Sequence, residues 1–484
     1  MNAEYMLIGD TRPGADSGEV VVVRNPASDE SVATVPNGGG AEATRGVDAA
    51  AEALEAWRSR PPSERCERVD RLGRLMLRDT ERLAELMTLE QGKPLRESRG
   101  EITYAASFLT WAAGEGVRLR GDILPAPAGD KRVLAVRQAV GVCGIITPWN
   151  FPSAMITRKI GPALACGCTV VIKPSELTPL SALAIGELAL EAEIPPGVVN
   201  VVTGDSRAIG GALFAHKAVR KVSFTGSTAV GSKLIEQSAE RVVNLSLELG
   251  GHAPLLVFDD ADLDLAVEQT VAAKFRNGGQ TCIAPNRIYV QDGIYSAFRD
   301  ALTERVRALN VGIGSDEGVD VGPMINDEAV EKIESHVRDA VDRGATLLCG
   351  GERVRVEGAA DRFYAPTVLD GFTPEMVLAR DETFGPVAPL ARFGGEDEGI
   401  ALANDSEYGL AAYAFTRDAS RLTRVCEALH YGVVGANDGL PSAAPAPFGG
   451  FKRSGLGREG GRWAMDEYTE TKYISLRVAA SGGA

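Results

Sequence analysis

The strongest constraint on the fold is an alternation of short apolar strands and helical segments that begins near Val140. The predicted strands are 142–147, 169–173, 198–202, 222–225 and 245–249, and most are rich in valine and isoleucine. Such strands, joined by helices, are typical of a parallel sheet that helices cover on both faces. A second series of this kind runs from Pro254 to about Gly435. The sequence therefore predicts an α/β fold.

Other regions flank these two series. Residues 47–116 carry apolar side chains at helical spacing, which predicts helices. Branched apolar stretches at 118–124 and 132–137 enclose turn-forming residues, which predicts a β-hairpin. The stretch 473–478 predicts a strand without a close partner in sequence, so we expect it to pair with another subunit's sheet edge or within its own chain.

Length, charge and cysteine content limit the class of protein. A chain of 484 residues with a net charge of −15 is expected to form more than one domain and to bind neither nucleic acid nor an anionic membrane. The N-terminus lacks the pattern of a secretory signal. Seven scattered cysteines fit reduced thiols in a cytoplasmic protein, and with only four histidines no metal site is predicted.

Cys282 is the best candidate for a nucleophile. It follows the small and polar run 278–281, whereas the other cysteines are expected to be packing residues. No histidine adjoins it, so its thiolate needs nearby dipoles or cofactor charge to lower the thiol pKa. Glu248, between two leucines, is the candidate base, because partial burial raises the pKa of a carboxyl. Asn150 follows the first parallel strand and is either an oxyanion donor or a helix N-cap.

Two motifs at strand ends indicate a nucleotide site. Gly226 and Ser227 stand between a strand and a helix, where backbone can approach phosphate, although the glycine spacing departs from the usual dinucleotide fingerprint. Lys173, Ser175 and Glu176 follow a parallel strand, the edge at which such sheets bind ligands. The alternative for Gly226 and Ser227 is an ordinary strand-to-helix turn. The alternative for Lys173 and Glu176 is a solvated ion pair at a strand end.

Together the motifs resemble those of the aldehyde dehydrogenases, in the same order along nearly the whole chain. They are Asn150, Lys173, 226–231, 247–251, 279–282, 382–386 and 447–450. The resemblance implies an NAD(P)-binding domain at 1–117 and 139–249 and a catalytic domain at 250–449. It also implies a small β region for oligomerisation at 118–138 and 450–484, and a homodimer or homotetramer.

The resemblance also implies a mechanism. Cys282 attacks the aldehyde, while the Asn150 amide and the Cys282 backbone N–H hold the oxyanion. Oxidation leaves a thioester, which is hydrolysed by water that Glu248 activates. An acidic residue at position 176 resembles NAD-preferring members, so NAD is expected rather than NADP. The implied cofactor-binding residues are Thr147, Pro148, Trp149, Lys173, Ser175, Glu176, Gly226, Ser227, Glu382 and Phe384.

Within the family, 155–159 and 274–277 look like succinate-semialdehyde dehydrogenases. This implies that Arg158, Arg276 and Ser442 grip the carboxylate of the substrate, and that succinate semialdehyde is oxidised to succinate. Glutarate semialdehyde and phosphonate- or sulfonate-bearing aldehydes stay open, because guanidinium groups bind all these anions. The structural alternative is that each arginine pairs with a surface acid.

Other classes of function are disfavoured. Glu248 argues against acyl transfer to coenzyme A, and the absence of a histidine partner argues against a cysteine hydrolase. A non-catalytic nucleotide-binding protein would be expected to have lost Cys282 or Glu248. Three departures from the resemblance stand out: Ala284 replaces a frequent second cysteine, His252 replaces a usual asparagine, and the loop 441–446 is unusual, which leaves the substrate's chain length open.

Overall fold

The computed structural model describes residues 5–478, and the first part of this range is largely helical. The elements are β1 (Val20–Arg24), β2 (Ser31–Pro36), α1 (Gly40–Arg58), α2 (Pro62–Arg78), α3 (Thr80–Gln91) and α4 (Leu95–Gly116). The four helices confirm the helical stretch predicted at 47–116. The antiparallel pair β1–β2 was not predicted.

The next part alternates strands and helices as predicted. Its elements are β3 (Asp122–Leu124), β4 (Lys131–Ala139), β5 (Val142–Ile146), α5 (Ala154–Cys166), β6 (Thr169–Lys173), α6 (Leu180–Glu191), β7 (Val199–Val201), α7 (Ser206–Ala215), β8 (Val219–Thr225), α8 (Thr228–Ala239) and β9 (Asn244–Glu248). The predicted strand 169–173 coincides with β6. The other predicted strands of this series differ from the observed ones by a few residues at their ends.

The remaining part contains the second series. Its elements are β10 (Ala253–Val257), α9 (Leu263–Phe275), β11 (Pro285–Gln291), α10 (Tyr295–Arg307), α11 (Asp327–Asp342), β12 (Thr346–Cys349), β13 (Thr367–Asp370), β14 (Val387–Phe393), α12 (Glu396–Asn404), β15 (Tyr408–Gly409), β16 (Ala411–Phe415), α13 (Ala419–Ala428), β17 (Val433–Ala436), β18 (Phe451–Lys452), β19 (Gly455–Leu456), α14 (Trp463–Glu467) and β20 (Thr469–Arg477). Short 3₁₀ turns lie at Arg276–Gly279 and Val377–Ala379.

A six-stranded sheet contains the first series, in the order β19-β9-β8-β5-β6-β7. Strands β9 to β7 in this order are parallel, and β19 adds an antiparallel edge. Val170 and Ile172 of β6 pack into one apolar cluster, whereas Val171 packs into another. Because successive side chains of a strand point to opposite faces, the apolar centre of this strand is buried on both sides.

The second series forms a seven-stranded sheet in the order β12-β13-β14-β11-β10-β16-β17. Its pairs are parallel except for β12, which runs antiparallel at the edge. The α/β fold predicted from the sequence is thus confirmed. Where the domains begin and end stays a prediction, and residues 1–4 and 479–484 of the predicted ranges lie outside the described part.

A third sheet, β20-β4-β3, joins the predicted hairpin to the C-terminal strand. The hairpin is confirmed as the antiparallel pair β3–β4. Strand β20 pairs with β4 of its own chain from Thr469 opposite Ala139 to Arg477 opposite Lys131. The alternative of pairing within its own chain is therefore confirmed, because the long β4 offers a matching edge. Strand β20 lies at the edge of this sheet, and pairing of its other side with another subunit stays a prediction.

No helix within residues 5–478 combines the length and apolar composition needed to cross a lipid bilayer.

Candidate active site

A cavity of about 400 Å³ brings together most of the predicted site residues. It opens where parallel strands of both sheets end, which is the usual ligand edge of such sheets. Glu248, Thr147, Lys173, Ser175 and Glu176 are not part of its lining. The predicted residues that line it are Pro148, Trp149, Asn150, Arg158, Gly226, Ser227, Arg276, Cys282, Glu382, Phe384 and Ser442.

The backbone before Cys282 is an unusual turn that only certain residues can form. Asn277, Gly278 and Gly279 have φ values of 50°, 60° and 74°, in the left-handed region. A side chain on Gly279 would also lie 2.2 Å from the carbonyl oxygen of Gly385. The Gly-Gly pair therefore lets the chain pass close to its neighbour and turn Cys282 toward the cavity.

The thiol of Cys282 is held in its protonated form. Burial, reinforced by the nearby carboxyl of Glu382, raises its pKa to about 12. This direction is opposite to the lowering that a nucleophile without a histidine partner needs. A proton acceptor or a cationic cofactor must therefore act on this thiol before it can attack.

Asn150 lies beside the nucleophile and is held from several sides. Its side-chain Nδ2 donates to the carbonyl of Gln280 at 3.0 Å, and Asn150 is only 5% exposed. The N-cap of α5 is Ser153, so the alternative of Asn150 as a helix cap is wrong. The amide is placed next to the Cys282 turn, where a donor to an oxyanion has to stand.

Glu248, the last residue of β9, is more deeply buried than expected. It is 3% exposed, and neither carboxyl oxygen has a hydrogen-bond partner within residues 5–478. Burial raises its pKa well above the ordinary value, and repulsion from Glu459 adds to this shift. The raised pKa favours the protonated carboxyl, and Glu248 can act as a base only in its ionised form.

Arg158 is paired with a buried acid, Glu459, rather than with a surface acid. Its Nε lies 2.8 Å from Glu459 Oε2, but the N–H does not point at the oxygen, so the contact is an ion pair without a hydrogen bond. The other oxygen of Glu459 contacts the Lys159 amine. The Arg158 guanidinium also lies 4.1 Å from the ring centre of Phe448.

Besides Lys332, Arg276 is a cation of the cavity lining without a carboxylate partner among the described residues. Among the described residues it forms no ion pair, its Nε has no hydrogen-bond partner, and its guanidinium lies 5.2 Å from the ring centre of Phe151. The Ser442 hydroxyl is hydrogen-bonded to that of Tyr104. Arg276 thus forms no ion pair within residues 5–478, whereas Arg158 shares the carboxylate of Glu459 with Lys159.

The predicted nucleotide residues lie along the carboxyl edge of the six-stranded sheet. Gly226 joins β8 to α8, and the Ser227 side chain caps that helix by accepting from the amide of Val230 at 3.3 Å. Lys173 Nζ lies 2.7 Å from Glu176 Oε1, and this carboxylate also accepts from the Ser206 backbone amide at 3.1 Å. A helix N-terminus and an ion pair at a strand end provide donors and acceptors for phosphate and ribose.

The nicotinamide end of such a ligand would meet a second group of residues. Glu382 accepts from the backbone amide of Gly251 at 3.3 Å, and burial raises its pKa to about 7. The rings of Trp149 and Phe384 meet edge to face with centroids 5.7 Å apart. Because these residues share one cavity with Cys282, the chain's own residues fit a dinucleotide whose reactive end reaches the thiol.

The departures from the family pattern lie around this cavity. His252 is buried, its Nε2 is 3.1 Å from the Leu378 carbonyl oxygen, and burial lowers its pKa to about 3. It is therefore neutral, and it does not line the cavity. Ala284 is also buried. From the unusual loop 441–446, only Ser442 lines the cavity.

A protein-family model that matches almost the whole chain identifies the family of this protein. The family model described as the aldehyde dehydrogenase family matches residues 14–474. This chain belongs to the aldehyde dehydrogenase family. Enzymes of this family oxidise aldehydes with NAD or NADP, so the chain is an NAD(P)-dependent aldehyde dehydrogenase.

Similar aldehyde dehydrogenases act on anionic aldehydes according to their names. Succinate-semialdehyde dehydrogenase [NADP(+)] GabD of Escherichia coli (strain K12) is 51% identical, with 98% of each chain covered. Glutarate-semialdehyde dehydrogenase of Pseudomonas putida (strain KT2440) is 52% identical, with 96% of each chain covered. The 3-sulfolactaldehyde dehydrogenase of Pseudomonas putida is 52% identical, covering 96% of this chain and 94% of its own.

A solved structure of a similar enzyme has the same fold as this chain. The crystal structure of succinate-semialdehyde dehydrogenase from Burkholderia pseudomallei superposes with a TM-score of 0.96 at 51% identity, and the match covers 98% of each chain. The aldehyde dehydrogenase fold that the sequence motifs implied is thus confirmed.

Proposed function

We propose that this aldehyde dehydrogenase oxidises succinate semialdehyde to succinate with NAD. The observation that carries the substrate is Arg276, a cation that lines the cavity of Cys282 and forms no ion pair among the described residues. A short aldehyde with an anionic far end can place its carbonyl at the thiol and its anion at this guanidinium. The names of similar proteins support an anionic substrate.

The proposed chemistry proceeds through covalent bonds to Cys282. Its thiolate adds to the aldehyde carbon, and the oxyanion receives hydrogen bonds from the Asn150 amide and the Cys282 backbone N–H. When bound, NAD supplies the acceptor for the hydride that leaves the same carbon. The resulting thioester is attacked by water, whose proton goes to ionised Glu248, and succinate leaves as the thiol is restored.

The proposed cofactor site uses the two groups of residues along the sheet edge. Lys173 and Glu176, with Ser175 beside them, hold the adenosine ribose, and Gly226 and Ser227 offer the N-terminus of α8 to phosphate. The nicotinamide end is held by Glu382 at its ribose. Thr147, Pro148, Trp149 and Phe384 complete this end of the site.

The residues that we propose to bind the substrate's anion, Arg276, Arg158 and Ser442, contribute unequally to its binding. Arg276 provides the main attraction because it forms no ion pair among the described residues, whereas Arg158 is ion-paired with Glu459. The hydroxyl pair of Ser442 and Tyr104 can donate one further hydrogen bond. Glutarate semialdehyde and sulfonate- or phosphonate-bearing aldehydes are the alternative substrates, since the same cation would hold their anions.

Replacing Arg276 with methionine tests the anion grip. We expect kcat/KM for succinate semialdehyde to fall by about 10- to 100-fold, because a charge-assisted hydrogen bond is lost from the bound substrate. Steady-state NADH formation measures this for succinate semialdehyde, and butanal serves as an uncharged control of the same length. Equal losses for both aldehydes, or a parent enzyme that oxidises butanal as efficiently, would contradict the grip.

Replacing Glu176 with glutamine tests the cofactor choice. The parent is expected to prefer NAD, because the Glu176 carboxylate repels a 2′-phosphate, and the variant should lower that preference by about tenfold. The measurement is kcat/KM for NAD and for NADP in the parent, the variant and a control, Glu187→Gln, whose carboxylate pairs with Arg12 on the surface. A parent that prefers NADP would refute the role of Glu176.

We further propose a cytoplasmic homodimer or homotetramer in which the three-stranded sheet takes part. Ile123 of β3 and Tyr473 of β20 are 80% and 65% exposed, which is unusual for large apolar side chains of one small sheet. A partner subunit that covers this surface would remove them from water. A monomer in sedimentation velocity would contradict this assignment.

A further inference from the structure

A buried ion pair behind the active site connects three parts of the chain. Lys93, between α3 and α4, places its Nζ 2.6 Å from Glu101 Oε2 and 2.7 Å from the backbone carbonyl oxygen of Asn150. The side chains of Lys93 and Glu101 are 0% and 1% exposed. Because desolvation offsets most of the attraction in such a pair, its net contribution to stability is small. Its geometry points to a different role.

Glu101 fixes the start of the helix that carries Arg158. Its Oε1 accepts from the backbone amides of Ser153 at 2.9 Å and Ala154 at 3.1 Å, which are the first amides of α5. These amides have no carbonyl partner within the helix, and a carboxylate there also interacts favourably with the helix dipole. The position of α5 is therefore tied to Lys93 and, through it, to the carbonyl of Asn150.

The turn before the nucleophile is tied to the same carbonyl. Asn277 Nδ2 donates to the Asn150 carbonyl oxygen at 2.9 Å, and its backbone amide donates to Glu97 at 2.7 Å. Asn277 Oδ1 accepts from Gln91 at 3.0 Å. The backbone of Asn150 is thus held by two buried donors, one from Lys93 and one from the turn that leads to Cys282.

We propose that Lys93 and Glu101 are positioning residues that hold the side-chain amide of Asn150 in place beside Cys282. The inference rests on the proposed role of Asn150 as the donor to the oxyanion. Without the Lys93 amine, residue 150 keeps a single donor on its carbonyl, and its side chain can leave the position that the oxyanion requires. A displacement of about 1 Å in a reacting group slows a reaction by as much as about 100-fold.

The variant Lys93→Met/Glu101→Gln tests this without leaving a buried charge unpaired. We expect the rate constant of the first turnover, followed as NADH formation after rapid mixing with saturating NAD and succinate semialdehyde, to fall at least about tenfold. NAD binding, followed by tryptophan fluorescence, should stay within about twofold of the parent. In an enzyme that already carries Asn150→Ala, the substitutions at Lys93 and Glu101 should lower the first-turnover rate little further, because their effect passes through Asn150.

Each result separates this inference from the proposed function. If the rate constant of the first turnover of Lys93→Met/Glu101→Gln is within about twofold of the parent's, the inference is overturned. It is also overturned if the two substitutions lower this rate constant by the same factor in Asn150→Ala as in the parent. If Asn150→Ala alone leaves the first turnover unchanged, the proposed role of Asn150 fails, and the inference fails with it. If Asn150→Ala slows the first turnover but Lys93→Met/Glu101→Gln does not, the inference is overturned and the proposed role of Asn150 stands.

A second variant covers the case in which the pair variant does not fold. Asn277→Gly removes the other donor to the Asn150 carbonyl, and glycine readily adopts the φ of 50° at this position. We expect the same slow first turnover with unchanged NAD binding. A parental first turnover in this variant would overturn the proposal that anchoring of the Asn150 carbonyl sets the reaction rate.

Discussion

Cys282→Ala is expected to abolish aldehyde oxidation, with kcat lower by at least about 10⁴-fold. The substitution removes the atom that bonds to the aldehyde carbon, and no other thiol lines the cavity. Hydride loss from a free aldehyde hydrate would lack the covalent tether and the placement beside Asn150. The surrounding turn should keep its shape, because its left-handed residues, Asn277 to Gly279, are unchanged.

Steady-state NADH formation measures this loss, and two other cysteines serve as controls. Cys349 and Cys426 are also only partly buried, yet neither lines the cavity. Their alanine variants should keep parental kcat. Oxidation by Cys282→Ala at a rate near that of the parent would contradict covalent catalysis at this residue.

Glu248→Gln is expected to separate oxidation from hydrolysis. We expect a burst of about one NADH per active site, followed by a steady state at least about 100-fold slower than that of the parent. Hydride leaves before water attacks, so the burst does not need the carboxylate. Glutamine has nearly the same shape but cannot accept the proton of the attacking water, and the thioester therefore accumulates.

The pH dependence gives a second test of the same role. Burial and Glu459 raise the pKa of Glu248, so its carboxylate forms only at higher pH. When hydrolysis limits turnover, the parental steady-state rate should rise with pH through this raised pKa, and the glutamine variant should lack that rise. The control is Glu236→Gln, an exposed carboxyl on α8. Loss of the burst itself would mean that Glu248 acts before oxidation.

The sequence predicts the central strands well because their signal is local. Strand β6 was predicted with its observed bounds, since its apolar centre, 170–172, is buried on both faces. The partner of β20 could not be predicted, because pairing of β20 with β4 joins residues more than 300 positions apart, such as Thr469 and Ala139. Strand β1 has a local signal, the valines 20–23, but no strand was predicted there.

The sequence named residues that line one cavity, but it did not predict the charges around them. The motifs identified Cys282, Asn150 and Arg276, which line one cavity. The acid beside Arg158 is Glu459, which also contacts Lys159 from 300 positions away along the chain. Such contacts, like the burial that raises the pKa of Cys282, arise from tertiary packing and leave no local pattern in the sequence.

The most direct test of the thioester mechanism is the mass of the Cys282 peptide from Glu248→Gln. The variant is mixed with NAD and succinate semialdehyde, quenched with acid after the NADH burst, digested and analysed by mass spectrometry. The mechanism predicts a succinyl group on Cys282 in nearly every active site that has formed NADH. An unmodified Cys282 after a full burst would contradict it.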